Sequence, residues 1–305
     1  MSFVPSFAQI YPHKPIRMII PAAAGGGVDT IGRFIGVKLS ESFQQAVIPD
    51  NRPGAGTMIG SELTAKAAPD GYTFLMVTNS HAINASSQKN FKFDPVKDFL
   101  PVSLVVISPF VLVVHPSVTA KNVTELIELA RQRPGELHFA SAGNISATHL
   151  AGELFKHLAG IKLVHVPYKG GSPAVADLLG GHVQILFDNL ISVLPLTKSG
   201  RLKALGVTSS QRLNALPEMP TIAESGLPGY ESGSWYGVLL PALTPRSVVN
   251  TLHREVVKAI NVPEFRSKMN MAGTEIVGNT PEQFERFFKQ DIEKWGQLIP
   301  ILKLQ

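Results

Sequence analysis

Three consecutive glycines behind a β-branched run are the residues of this chain best suited to holding a ligand. Arg17-Met18-Ile19-Ile20-Pro21 reads as a strand and Ala22-Ala23-Ala24-Gly25-Gly26-Gly27 as a small-residue loop. Val28-Asp29 then opens a helical pattern through Ile31, Phe34, Ile35, Lys38 and Leu39. The first amides of a helix have no intrahelical acceptor, and the helix dipole adds partial positive charge there. Such an end binds an anion without a lysine or arginine. Ala22, Ala23, Gly25, Gly26, Gly27 and Val28 are therefore candidate ligand contacts, and Asp29 is either a further contact or a helix cap.

Three more loops follow strand-like runs, the place where open α/β sheets hold their ligands. Asn51-Arg52-Pro53-Gly54-Ala55-Gly56 is one, with Arg52 placed either to reach a carboxylate or to cover a sheet edge. Thr78-Asn79-Ser80-His81 is the second. The third is Ser141-Ala142-Gly143-Asn144-Ile145-Ser146-Ala147-Thr148-His149, which precedes a helix through Leu150, Leu154 and Leu158. Thr78, Asn79, Ser80, His81, Ser141, Ala142, Asn144, Ile145 and Thr148 join the candidates from these loops. Tyr168 and Asp188 join them too, because Asp188-Asn189 ends the strand-like run Val183–Phe187. His81 and His149 read equally as hydrogen-bonded structural residues, and Tyr168, Phe187, Trp235 and Tyr236 as core or hinge packing.

Catalytic signatures are missing. There is no Gly-x-Ser-x-Gly elbow, no His-Glu-x-x-His and no phosphate loop ending in Gly-Lys-Ser/Thr. A dinucleotide fingerprint starting at Gly25 has Thr30 where the third glycine belongs, and one starting at Gly26 has Val28 at the second. With no cysteine, thiol nucleophiles, zinc–thiolate sites and disulfides are excluded. No catalytic residue, cofactor or metal is expected.

The elements that must position these loops follow from composition and pattern. A chain of 305 residues with 44% hydrophobic and 17% charged residues is globular and suits two domains. The net charge of +5 comes from scattered lysines and arginines, which favours a small anion over nucleic acid. No apolar run reaches the roughly 18 residues of a membrane span. Met1–Gln9 is expected to be either the tail of a signal peptide or an unstructured native start.

Strand-like and helical runs alternate, which predicts an α/β protein with largely parallel sheets. Strands are predicted at Ile16–Pro21, Ala46–Pro49, Tyr72–Val77, Val102–Val114, Leu137–Ala140, Lys162–Val166, Val183–Phe187, Ala204–Val207 and Trp235–Leu240. Asn122 with Glu125, and Thr280 with Gln283, read as capping boxes. The run Val102–Val114 carries Pro109, so it is read as two strands or as one that passes between domains. A second crossing near Pro228–Tyr236 predicts a discontinuous first domain, 1–107 plus 236–305, and an inserted second domain, 108–235, with a ligand cleft between them.

Several motifs together resemble a known family. They are Tyr11-Pro12-x-Lys14-Pro15-Ile16-Arg17, the Gly-Gly-x-x-Asp loop and Asp50-Asn51-Arg52-Pro53-Gly54-Ala55-Gly56, followed by Ala67-Ala68-Pro69-Asp70-Gly71-Tyr72-Thr73 and Thr148-His149-Leu150-Ala151-Gly152-Glu153-Leu154-Phe155. His165-Val166-Pro167-Tyr168-Lys169-Gly170, Phe187-Asp188-Asn189 and Gly226-Leu227-Pro228-Gly229-Tyr230 extend the likeness over nearly the whole chain. The set resembles the solute receptors of tripartite tricarboxylate transporters, also called Bug or TctC-type proteins. That resemblance implies a two-domain Venus-flytrap of the type II periplasmic binding-protein class. It implies a periplasmic monomer that binds a small carboxylate and hands it to the membrane subunits of a transporter, or serves in sensing. It also implies that the first glycine loop holds the ligand carboxylate, largely through backbone groups and ordered water.

Two departures bear on the ligand. Where the family usually has Phe-Pro-Pro before the glycines, this chain has Ala22-Ala23-Ala24. Where many members have glycine, it has Ile145. A wider pocket and an added apolar side chain predict a bulkier carboxylate, partly apolar or aromatic.

Overall fold

The computed structural model describes residues 11–87 and 91–302. The expectation for Met1–Gln9 lies outside them. The chain opens with β1 (Ile16–Ile20), α1 (Gly27–Phe43), β2 (Val47–Asn51), a single 3-10 turn (Ala55–Thr57), α2 (Met58–Ala65), β3 (Thr73–Thr78) and α3 (Asn79–Ser87). A long strand, β4 (Phe99–Val114), leads into α4 (Val123–Gln132), β5 (His138–Ser141), α5 (Ala147–Ala159), β6 (Val164–Pro167) and α6 (Gly171–Leu179). Then come β7 (Ile185–Asn189), α7 (Leu190–Lys198), β8 (Lys203–Val207) and β9 (Gly233–Pro241). The chain closes with α8 (Arg246–Ile260), α9 (Pro263–Met271), a two-residue β10 (Glu275–Ile276) and α10 (Pro281–Ile301).

These strands form one curled sheet in the order β2-β1-β3-β9-β4-β7-β5-β6, with β8 and β10 also on β4. The outer strands run parallel to their neighbours, as the alternating pattern predicts. The strands around β4 do not: β9, β7, β8 and β10 all pair antiparallel to it. The reason is connectivity, since the chain leaves the first half along β4 and returns along β9 in the opposite direction.

Both faces of the sheet are covered, which is why its strands read as continuous apolar runs. Alternate residues of β1 face two cores. Ile16, Met18 and Ile20 pack with Ile31, Ile35 and Leu39 of α1 and Leu252 and Val256 of α8, whereas Ile19 packs with Phe284 and Phe288 of α10. The second half repeats this. Phe110, Leu112 and Val114 of β4 meet α4 and α5, while Val111 and Val113 meet α6 and α7.

The run containing Pro109 is one strand that changes partner. Over Phe99–Pro109 it pairs with β9, and over Phe110–Val114 with β7. Pro109 sits opposite Gly233, at the end of the first ladder, where a missing N–H is tolerated. α10 also links the halves: Phe284 and Phe288 lie in a first-half core, and Trp295 and Ile299 lie in the core built on α4 and α5. Thr280 and Gln283 form the expected capping box on α10. At α4, Asn122 accepts the Glu125 amide, but the Glu125 carboxylate takes the Lys121 amide and the Asn122 side chain instead of closing the box.

Candidate functional site

A cavity of about 410 Å³ lies where the two halves of the sheet meet. That is within the usual range for small-molecule sites. Among the described residues, six helices of eight residues or more begin on its wall: α1 at Gly27, α2 just after Thr57, α3 just after Thr78, α5 at Ala147, α6 at Gly171 and α7 just after Asn189. In α1 the first intrahelical bond runs from the Thr30 amide to the Gly26 carbonyl at 2.9 Å. The amides of Gly27, Val28 and Asp29 precede it and are left for partners outside the helix. Lys169 is the cation among the lining residues, and it is exposed. Positive potential in the cavity therefore comes mainly from backbone ends.

The loop before α1 is shaped by Asp29. Its carboxylate accepts the Gly25 amide at 2.8 Å, the Asn51 side-chain amide at 2.8 Å and the Arg33 guanidinium at 2.9 Å. Burial alone would raise this carboxyl, but the bonds from Arg33, Gly25 and Asn51 outweigh it and hold it below the usual carboxylate range. Asp29 is thus a buried fastener beneath the loop, away from the cavity wall. Gly25 takes a positive φ of 85° to reach it, a conformation natural to glycine.

The loop before α5 is held by side chains instead. Thr148 Oγ1 accepts the Ala142 amide at 2.8 Å, and Ser141 Oγ accepts the Gly143 amide at 3.1 Å. The Ile145 amide donates to His149 Nδ1 at 3.0 Å. His149 stacks on His165 with centroids 3.7 Å apart, and Ser141 Oγ lies 2.6 Å from His165 Nε2. Burial, then the neighbouring His149, pull the His165 pKa down to about 4. Ile145 sits at φ 56°, an unusual place for a β-branched residue.

Direct contacts join the two halves over the cavity. Ser172 Oγ, at the start of α6, donates to the Ala24 carbonyl at 2.6 Å. The Ala147 amide donates to Ser80 Oγ at 3.3 Å. A methyl group on Gly170 would stand 3.1 Å from the Ala23 nitrogen, and one on Gly56 would stand 3.2 Å from the Asn144 carbonyl.

Of the residues expected from sequence, Ala22, Gly26, Gly27, Val28, Thr78, Ser80, Ala142, Asn144, Thr148, Tyr168 and Asp188 line this cavity. Seven others stand behind it. Ala23 faces the Gly170 turn and Gly25 is tied to Asp29. Asp29 itself is the fastener just described. Asn79 donates to the Gly233 carbonyl and accepts from Ser234, pinning the start of β9. His81 is fully buried between Ser61 Oγ and the Pro95 carbonyl, each at 2.8 Å, and burial pulls its pKa down to about 4. Ser141 supports its loop. The Ile145 side chain packs on the second-half core and is not among the residues lining the cavity.

Other residues enter the wall, some from stretches the sequence already marked, such as Gly54–Gly56 and Asn189, and some from elsewhere. The Gly54–Thr57 segment lines the cavity, whereas Arg52 turns back to pair with Asp50 at 2.8 Å on edge strand β2. Lys169, Gly170 and Gly171 line it as well, and their paired glycines before a helix carry the same signal as the first loop. Phe110, Asn189, Ser234 and Tyr236 lie at the strand crossing. Only the β4–β9 and β4–β7 registers bring them together. Asp188 is almost fully buried, and burial raises its pKa to about 6, with the Asn189 amides only partly opposing. No histidine is among the lining residues.

Comparison with known proteins agrees with this geometry. The profile of the tripartite tricarboxylate transporter family receptor matches residues 31–304. A relative from Pseudomonas sp. strain P51, described as the UPF0065 protein in the tcbD-tcbE intergenic region, is 42% identical over 290 residues. That alignment spans 95% of this chain and 86% of the relative. The structure of the periplasmic binding protein BugD superposes with a TM-score of 0.93 at 33% identity, covering 97% of this chain and 99% of that one. The structure of R. palustris Rpa4515 with adipate gives a TM-score of 0.93 at 35% identity, covering 96% and 99%.

Proposed function

The chain belongs to the tripartite tricarboxylate transporter receptor family, and from that membership we propose that it is a periplasmic receptor for a small organic carboxylate. Its fold is the two-domain fold of periplasmic binding proteins. The observation that carries the proposal is the convergence of helix N-termini from both halves on one cavity where, among the described residues, Lys169 is the only lining cation. Such a cavity suits an anion small enough to be enclosed.

Ligand enters while the cleft is open. The first-turn amides of α1 take one carboxylate, and closure about β4 and β9 brings the other helix ends onto the rest of the molecule. The moving bodies in this reading are residues 1–107 with 236–305, and residues 108–235. Hydrogen bonds to a charged group contribute roughly 1.5–3 kcal/mol each, and a buried helix terminus up to about 2 kcal/mol. Three or four such bonds supply micromolar affinity, about −8 kcal/mol, after ordering costs. The Rpa4515 structure holds adipate, a carboxylate of the size class envisaged here. Phe110, Tyr168 and the small Ala22 side chain give this cavity aromatic walls and room, which favours a carboxylate with an apolar or aromatic body. The closed receptor then acts as a monomer that delivers its ligand to the membrane subunits of a tripartite tricarboxylate transporter.

A thermal-shift screen against aliphatic and aromatic mono-, di- and tricarboxylates, with nucleotides as controls, tests this. A true ligand adds about 2.7 kcal/mol of stability at a hundredfold excess over its dissociation constant. A shift with nucleotides and none with carboxylates overturns the reading.

A further inference from the structure

We propose that the ligand carries a hydrogen-bond donor, a hydroxyl or an amino group, beside its carboxylate, and that Asp188 is the residue that selects it. This rests on the carboxylate-receptor reading and sharpens it.

Asp188 ends β7 inside the cavity and is 3% exposed. Its two oxygens are in different situations. Oδ1 accepts the Asn189 backbone amide at 2.7 Å, with the Asn189 side-chain amide at 3.4 Å. Oδ2 is buried with no hydrogen-bond partner, and so is Asn189 Oδ1 beside it. Asn189 Oδ1 and the ionised Asp188 Oδ2 are acceptors, so a donor satisfies both. A buried acceptor left unmade costs far more than an average hydrogen bond returns, and sites built around such groups strongly reject molecules that lack the matching donor.

The start of α6 at Gly171 and the Tyr236 hydroxyl both lie close by, but neither donates to Asp188 Oδ2. The side of Asp188 Oδ2 faces Gly171 at the start of α6, where an added methyl would stand 3.1 Å away. No arginine lines the cavity, and the one lysine, Lys169, is exposed at its rim. A second ligand carboxylate placed there would meet Asp188 as like charge in a buried setting. A hydroxyl or ammonium placed there gains the bond that the protein withholds. The cavity is thus two-sided: free amides at the α1 end for an acceptor, and free oxygens at the β7 end for a donor.

Calorimetric titration tests the assignment. The tightest binder in the carboxylate screen is compared with its analogue lacking the hydroxyl or amino group, alongside the pairs malate/succinate and 3-hydroxybenzoate/benzoate. Wild type is expected to bind the donor-bearing member of the cognate pair at least about tenfold more tightly. In Asp188→Asn the backbone bond keeps the amide oxygen at the Oδ1 position, so the amide nitrogen takes the Oδ2 position and offers a donor where an acceptor stood. That variant is expected to lose the preference, with thermal unfolding confirming that it is folded, and Asp188→Ala is expected to lose it as well. If the tightest binder carries no donor, if the pairs bind equally to wild type, or if Asp188→Asn keeps the preference, the assignment is overturned while the receptor reading stands. If folded wild type binds no carboxylate at all, both are overturned.

Discussion

In the first half of the cavity, the loop between Ile20 and Gly27 hangs on one carboxylate, Asp29, which draws in Gly25, Arg33 and Asn51. In the second half, the loop between Ser141 and Ala147 hangs on imidazoles and hydroxyls: His149, His165, Ser141 and Thr148. Each ends in a helix N-terminus facing the same space. The first is bare backbone whose amides stay available because the fastener sits beneath them. In the second, hydroxyl and imidazole groups already occupy several amides of the loop. Two loops with one geometric task therefore differ in how much of their hydrogen bonding is left for a ligand, and in the pH range over which they hold.

The largest expected effect follows from the bare loop. Gly26 has φ −77°, and a methyl group there would find its nearest neighbours, the Ala23 carbonyl and Ser172 Oγ, at an ordinary 3.8 Å. Gly26→Val should therefore fold with a melting temperature within a few degrees of wild type. It should lose ligand affinity by about a hundredfold or more, since a branched side chain covers the α1 amides. Titration with the screened carboxylate checks it. Unchanged affinity would shift the weight of anion binding to the α5 end.

Next in size is the cost of keeping Asp188 unpaired. Its folded pKa near 6 lies above the ordinary value of 3.8, so folding favours its protonated form relative to the unfolded chain. The stability from that proton is fully present below about pH 4 and is lost as pH rises through 6. Asp188→Asn removes the dependence. The empty variant should be more stable than wild type by about 1–3 kcal/mol near pH 8, and the gap should close near pH 4. Thermal melts across this range, without ligand, give the answer. A constant gap would mean that Asp188 already has a partner in the empty protein.

The two loops should also separate on acidification. The His165 pKa near 4 lies below the ordinary 6.5, so its contribution is present above 6.5 and is lost as pH falls toward 4. His81 behaves likewise behind α3, so overall stability falls too. Asp29, held low, keeps its charge through the same window. Hydrogen exchange near pH 5, corrected for intrinsic rates, should show protection falling more in Ser141–Leu150 than in Gly25–Ile31. Equal loss in both would mean that the imidazole stack does not govern the second loop.

How far the residues alone foretold this arrangement depends on the kind of feature. The glycine loop before α1, the caps at Asn122 and Thr280 and the partner change at Pro109 are local and were legible, because turn chemistry and caps act within a few residues. Asp29 was legible as a carboxylate near a helix start, but its role as a fastener needed Asn51, which only the β1–β2 pairing brings alongside. Phe110 and Tyr236 were hidden for the same reason. Their common wall comes from β4 pairing with β7 and β9, contacts between residues that sit far apart along the chain.

The smallest effect isolates backbone strain at the second loop. Ile145 has φ 56° and Leu243 has φ 66°, both in the region that glycine occupies freely. Their side chains differ: Leu243 is 87% exposed, whereas Ile145 packs on the second-half core. Leu243→Gly therefore relieves strain and gives up almost no packing, although glycine also loosens the unfolded chain. A stability gain of up to about 1 kcal/mol is expected. Ile145→Gly relieves a similar strain but loses buried contacts of about the same worth, so it should fall within roughly 0.5 kcal/mol of wild type. The difference between the two variants in chemical denaturation measures what packing holds Ile145 in place. If Ile145→Gly gains as much as Leu243→Gly, the core contacts of Ile145 add nothing, and the second loop is held by its hydroxyls and imidazoles alone.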